Sequence, residues 1–164
     1  MRRMLVAVMA IAGLAGAAGA QDEREVPYWA SIASGEAMLR SGPGRTYPGQ
    51  WLYQRRDLPV KITQRYDNWR KIEDPDGTTG WMAVALLSER RTGIVTEGAP
   101  AEMRLDAAPG SPVRYRAEAG VVGRLERCDG RFCLFTVQVG RKQQSSGWIA
   151  QDRLWGVDSG ETFE

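Results

Sequence analysis

The sequence predicts an all-β protein built as two tandem small β-barrels. Three observations carry this expectation. Short β-branched and aromatic runs alternate with Gly, Pro, Asp and Asn clusters, and the first half shows no helical period. The second half repeats the first, weakly but in order, at a spacing of about 66 residues, well beyond the roughly 20–50 of solenoid units. A copy of about sixty residues supports one small core, and closing a short sheet on itself removes exposed edges.

The chain opens with Met1-Arg2-Arg3, an apolar run from Met4 to Ala15, and small residues ending in Ala18-Gly19-Ala20. A basic start, an apolar middle and small residues before a polar stretch predict a signal peptide over residues 1–20. The run is too short and too rich in Ala and Gly for a permanent span of about twenty strongly apolar residues. No Cys follows to take a lipid. The mature chain is therefore expected to have no membrane span and to be periplasmic or secreted. Cleavage also changes the charge: the full chain holds 22 Lys and Arg against 20 Asp and Glu, and removing Arg2 and Arg3 leaves twenty of each sign. A neutral chain lacks the clustered positive excess that phosphate binding needs, so nucleic acid is not an expected partner.

The first domain is expected over 27–88. Pro27-Tyr28-Trp29-Ala30-Ser31-Ile32 suits a strand packed onto it. Trp51-Leu52-Tyr53 and Leu58-Pro59-Val60-Lys61-Ile62 read as strands around a charged turn. In Asp74-Pro75-Asp76-Gly77, Pro75 fixes φ and Gly77 accepts positive φ, which makes a turn. Ala85-Leu86-Leu87 suits one helical turn and a last strand. Ser88–Gly98 is charged and Gly-punctuated, so residues 89–98 read as a linker. The second domain is expected over 99–156. Met103-Arg104-Leu105 with Ala108-Pro109-Gly110 answers Met38-Leu39-Arg40 with Gly42-Pro43-Gly44. Phe132-x-x-Phe135 answers Trp69-x-x-Ile72, and Gly147-Trp148-Ile149-Ala150 answers Gly80-Trp81-Met82-Ala83. The second copy departs most at its opening, which lacks an Arg-Ser-Gly, and at its longer Gly140–Ser146 hairpin. The polar residues 157–164 read as a flexible tail.

The stretch from Ala37-Met38-Leu39-Arg40-Ser41-Gly42-Pro43-Gly44, through Tyr66-Asp67-Asn68-Trp69, to Gly80-Trp81 resembles a bacterial SH3 (SH3b) domain. That family opens on a small-apolar-Arg-x-Gly-Pro pattern, carries a central Trp and closes on Gly-Trp, in this order. The resemblance covers most of the mature chain in two copies and implies SH3-like barrels. It implies a binding module of the bacterial cell envelope that recognises peptidoglycan or a peptide. The alternative is an adaptor whose barrels dock onto a larger envelope protein with no glycan contact.

The chain has no histidine. Ser-His-Asp and Cys-His catalysis and His-ligated zinc are thereby excluded, and no enzyme activity, cofactor or metal is expected. Carboxylate pairs at Asp74/Asp76 and Asp22/Glu23 read as a turn and a solvated terminus. Cys128 and Cys133 flank Asp129-Gly130-Arg131-Phe132, which in an exported protein reads as a hairpin disulfide, with free or redox thiols as the alternative. Family members similar in carrying a Cys after the central aromatic support the structural reading. Trp51, Trp69, Trp81, Trp148 and Trp155 read as core. The candidate ligand groove comprises Arg40, Tyr47, Tyr53, Tyr66 and Trp69, on or beside turns of the first copy. Flat rings there give contact area at low entropic cost, and Arg40 and Arg45 could meet a carboxylate.

Overall fold

Fifteen strands and two single 3-10 turns make up the regular structure of residues 24–164, the part of the chain that the computed structural model describes. The expected leader and the Asp22/Glu23 pair lie outside the described residues. No helix among these residues is long and apolar enough to cross a membrane.

The first sheet holds β1 (Tyr28–Ile32), β2 (Ala37–Arg40), β3 (Gly49–Tyr53), β4 (Pro59–Tyr66), β5 (Trp69–Glu73), β6 (Thr79–Ala83) and β7 (Leu87–Ser88), in the order β3-β2-β6-β5-β4-β1-β7. The second holds β8 (Thr92–Val95), β9 (Ala101–Arg104), β10 (Val113–Ala117), β11 (Val122–Asp129), β12 (Phe132–Val139), β13 (Gln143–Ala150) and β14 (Leu154–Trp155), in the order β10-β9-β13-β12-β11-β8-β14. The two orders are the same, strand for strand, so the sequence repeat is a repeat of topology. Each sheet curls around its own core. Ile32, Leu39, Val60, Ile62, Ile72 and Met82 fill the first, and Met103, Leu125, Phe135 and Ile149 with the bonded cysteines fill the second. The hydrogen-bonded path of the first sheet stays open, ending at β3 on one side and β7 on the other.

The Gly-Trp step has a steric cause. A Cβ on Gly80 would stand 2.6 Å from Leu39 Cγ and 3.0 Å from the Arg40 carbonyl, and one on Gly147 would stand 2.8 Å from Met103 Cβ. Only glycine lets β6 cross β2, and β13 cross β9, at this separation. The tryptophan that follows then lands on the outer face. Each of these strands ends on an extended Ala (Ala83, Ala150) that leads into a 3-10 turn, Val84–Leu86 or Gln151–Arg153.

Three expectations need correction. Residues 89–98 are not only a linker: Thr92–Val95 form β8, the counterpart of β1, which pairs with β11 and β14. Residues 157–164 are not a loose tail. Val157 is buried, Thr162–Phe163 form β15 on the end of β11, and Gln151 bonds both Gly160 and Glu161. The opening of the second copy does carry its arginine. Arg104 stands opposite Trp148 as Arg40 stands opposite Trp81, so Arg40 corresponds to Arg104 and not to Leu105.

The two units are packed on each other. Trp29 meets Trp155 edge to face at 4.7 Å, and its indole N–H donates to Asp158 Oδ2 at 3.0 Å. Lys61 Nζ donates to the other oxygen of Asp158 at 3.1 Å and lies over the Trp29 ring. Ile94 and Val122, from the second unit, pack against the first core.

Candidate functional site

Four of the five groove residues named from the sequence gather at one outer region of the first sheet. Along β5 and β6, Ile72 and Met82 point inward and are fully buried, so the alternating Trp69, Lys71, Trp81 and Ala83 face outward. Register then brings the strands together: Trp81 lies opposite Arg40 and Lys71, and Trp69 lies opposite Ala83 and Tyr66. The Tyr66 ring, 61% exposed, meets Trp81 edge to face at 6.5 Å. Trp81 is thus half-exposed and part of this aromatic face, not a core residue. The regular outward alternation after Gly80 was the sequence signal for it.

At the neighbouring turn, Arg40 Nη1 donates to the Tyr47 carbonyl at 2.8 Å. Ser41 N–H closes the same loop onto the Pro48 carbonyl at 3.1 Å. The Tyr47 ring lies against Gly42 and Gly44, where any side chain on Gly42 would occupy the ring's place. Gly42 therefore holds an exposed ring in position. Arg45 is exposed on the same turn.

Tyr53 does not join this face. It points inward, is 6% exposed, and donates its hydroxyl to Asp74 Oδ2 at 2.8 Å. Burial, then the bond to the Asp74 carboxylate, pushes its hydroxyl above the usual tyrosine range. The other Asp74 oxygen accepts the Asp76 and Thr78 N–H groups at 3.0 and 2.8 Å. Asp74 is thus the centre of a turn, with all its bonds made. No group of three or more Cys, Asp or Glu side chains among the described residues is placed to hold a metal ion.

The equivalent face of the second copy is built differently. Trp148 stands opposite Arg104 and Leu134, but the Arg127 guanidinium lies over it at 5.0 Å. Arg104 repeats the Arg40 clamp, donating to the Ser111 carbonyl at 2.7 Å, although Ser111 puts no ring there. At the end of β11, where the first copy has Tyr66, the second has Asp129, paired to Thr162 of β15. Cys128 and Cys133 face each other across the β11–β12 hairpin and are joined as a disulfide.

A family model for the bacterial SH3 domain matches the chain twice, at residues 33–89 and 97–156. Comparison with the curated proteins gives no match. Among solved structures, the chain is similar to an NlpC/P60 family protein from Bacillus cereus ATCC 10987, at 12% identity and a TM-score of 0.34, over 80% of this chain and 57% of that one. It is also similar to NlpC2 from Trichomonas vaginalis, at 13% identity and a TM-score of 0.31, over 80% and 49%. NlpC1 from the same organism gives 14% identity and a TM-score of 0.31, over 82% and 48%. The chain thus spans about half the length of these structures.

Proposed function

The chain belongs to the bacterial SH3 domain family, in two tandem copies, and from that membership we propose that it is an exported, non-catalytic binding module of the cell envelope, with peptidoglycan or a peptide as its ligand. The observation that carries this reading is the outer face of the first copy. Tyr66, Trp69 and Trp81 form a half-exposed aromatic platform with Arg40 at its edge and Tyr47 on the adjoining turn. Rings held this way offer contact area with little entropy to lose, which suits a sugar-peptide chain or an extended peptide. Tyr47 and Tyr66 are exposed, while Tyr53 is withdrawn from the ligand reading because its hydroxyl is spent on Asp74. The second copy, with Trp148 under Arg127, acts as the support.

Retention on purified peptidoglycan sacculi tests this. The full chain is expected to be retained at high salt, and Tyr66→Ala with Tyr47→Ala to lower retention at least tenfold with the fold intact, the size of loss seen for central aromatic contacts. An unretained chain that co-purifies with an envelope protein overturns the glycan reading in favour of the adaptor.

A further inference from the structure

A second feature lies on the other side of the first sheet, where it meets the second. Two adjoining cavities of about 530 and 430 Å³ share Pro75, Asp76 and Ile94 and form one trough between the units. One wall is the unbroken run from Trp51 to Arg55, the end of β3 and the two residues after it. That strand has a hydrogen-bonded neighbour, β2, on one side only. Trp51 pairs in register with Leu39, which is fully buried, yet Trp51 is 61% exposed because it overhangs the trough. Trp155 closes the far end.

The charged side chains lining the trough are three carboxylates, Asp74, Asp76 and Glu97, against one guanidinium, Arg55. Asp76 and Glu97 are exposed, and among the described residues neither carboxylate has a cation at ion-pair distance. The one arginine, Arg55, is already committed across the junction, donating to the Gly120 carbonyl at 2.6 Å. The second copy repeats the open edge, with the exposed Tyr115 of β10 opposite Met103 as Trp51 is opposite Leu39, but Ala117 and Val137 stand where the first has Tyr53 and Asp74.

The geometry points to a second binding site in this trough, for an extended, basic segment of a partner protein that adds to the free edge of β3. The unpaired edge supplies main-chain hydrogen bonds, as in other cases of strand addition. The Trp51 ring covers alternate apolar side chains. Asp76 and Glu97 receive the Lys or Arg side chains between them, by charge complementarity. The site is independent of the outer face, since it uses none of Tyr66, Trp69 or Trp81.

Calorimetric titration of the full chain with the capped pentapeptide acetyl-Val-Lys-Val-Arg-Val-amide tests it, with the Glu-for-Lys/Arg counterpart as control. The basic peptide is expected to bind and the acidic one not to. Asp76→Asn with Glu97→Gln should weaken binding about fivefold and make it insensitive to salt. Trp51→Ala should weaken it about tenfold or more. Tyr66→Ala should leave it unchanged, which separates this site from sacculus binding. None of the three trough side chains holds the fold: Trp51 is exposed, and the Asp74 turn uses the backbone N–H of Asp76. The proposal is overturned if the basic peptide fails to bind, if the acidic peptide binds equally, or if both trough variants bind as the parent does.

Discussion

Replacing Arg91 by Met tests whether the C-terminal segment is pinned or only resting. Arg91 Nη1 and Nη2 grip both oxygens of Glu161 at 2.6 and 3.0 Å, Nη2 also reaches the Gly156 carbonyl at 3.1 Å, and the guanidinium lies over the Phe163 ring at 4.5 Å. An exposed ion pair contributes about 0–1 kcal/mol. This one is two-pronged, and its side chains are only 21% and 24% exposed, which places it nearer the ~1.5–3 kcal/mol of charge-assisted bonds. Against that stands Arg91 Nε, buried without a partner, at a cost of about 1 kcal/mol or more. Methionine keeps the stem over Phe163 and removes both the grip and the orphan. With about 1 kcal/mol more for the bond to the Gly156 carbonyl, the expected net loss is about 2 kcal/mol, read by urea unfolding. Amide exchange across Asp158–Phe163 should speed up roughly thirtyfold, which is that energy at about 1.4 kcal/mol per decade. A loss below about 0.5 kcal/mol with unchanged exchange refutes the pinning argument.

Two further outcomes follow from the second unit. Cys128→Ala with Cys133→Ala should lower its stability by about 2 kcal/mol, from the loop entropy released in the unfolded chain, and leave the first unit unaffected. Alanine is the test residue because both sites are buried, and a serine hydroxyl would add its own desolvation cost. Thiol labelling of the native protein should be silent, and an unchanged melting temperature in the double variant refutes the argument. Asp129 accepts the Phe132 and Arg131 N–H groups at 2.8 and 2.9 Å, and these bonds hold its carboxyl below the usual range. The unfolded chain therefore takes up this proton at a higher pH than the folded one. The stabilisation is full above the ordinary aspartate range and is lost as pH falls through the lowered folded value. Asp129→Asn keeps an acceptor oxygen, so urea midpoints from neutral pH to about pH 3 should show a shallower acid slope. An unaltered slope refutes the assignment.

What was legible in the sequence was local. The turn at Asp74-Pro75-Asp76-Gly77, the single turn before Leu87 and the Cys128–Cys133 pair depend on neighbours within a few residues. The misreadings all involve distant partners. Thr92–Val95 is four residues between charged flanks, and only pairing with Val122–Arg124 makes it a strand. Residues 158–163 carry no strand pattern of length, and they are held by Arg91 and Trp29, about 70 and 129 positions away. Tyr53 and Tyr66 look alike in sequence. One hydroxyl is buried on Asp74 and the other ring stands exposed, because Tyr53 pairs opposite the buried Ala37 whereas Tyr66 pairs opposite the outward Trp69. Met-Leu-Arg and Met-Arg-Leu also match by composition with their arginines one position apart, and the crossing of Trp81 and Trp148 settles which arginines correspond.

The bond from the Trp29 indole to Asp158 joins residues 129 positions apart, and synthesis runs from one to the other. The first sheet has all its strands once Ser88 has emerged, and can form while the rest of the chain is still being made. Its Trp29 and Lys61 must then wait for Trp155 and Asp158. Until those residues arrive the ring stays open to solvent, as an apolar surface that a chaperone or protease can read. A product halted before residue 155 would keep that mark permanently, with its first unit folded. Closure of the joint is therefore a physical record that translation has passed through both copies.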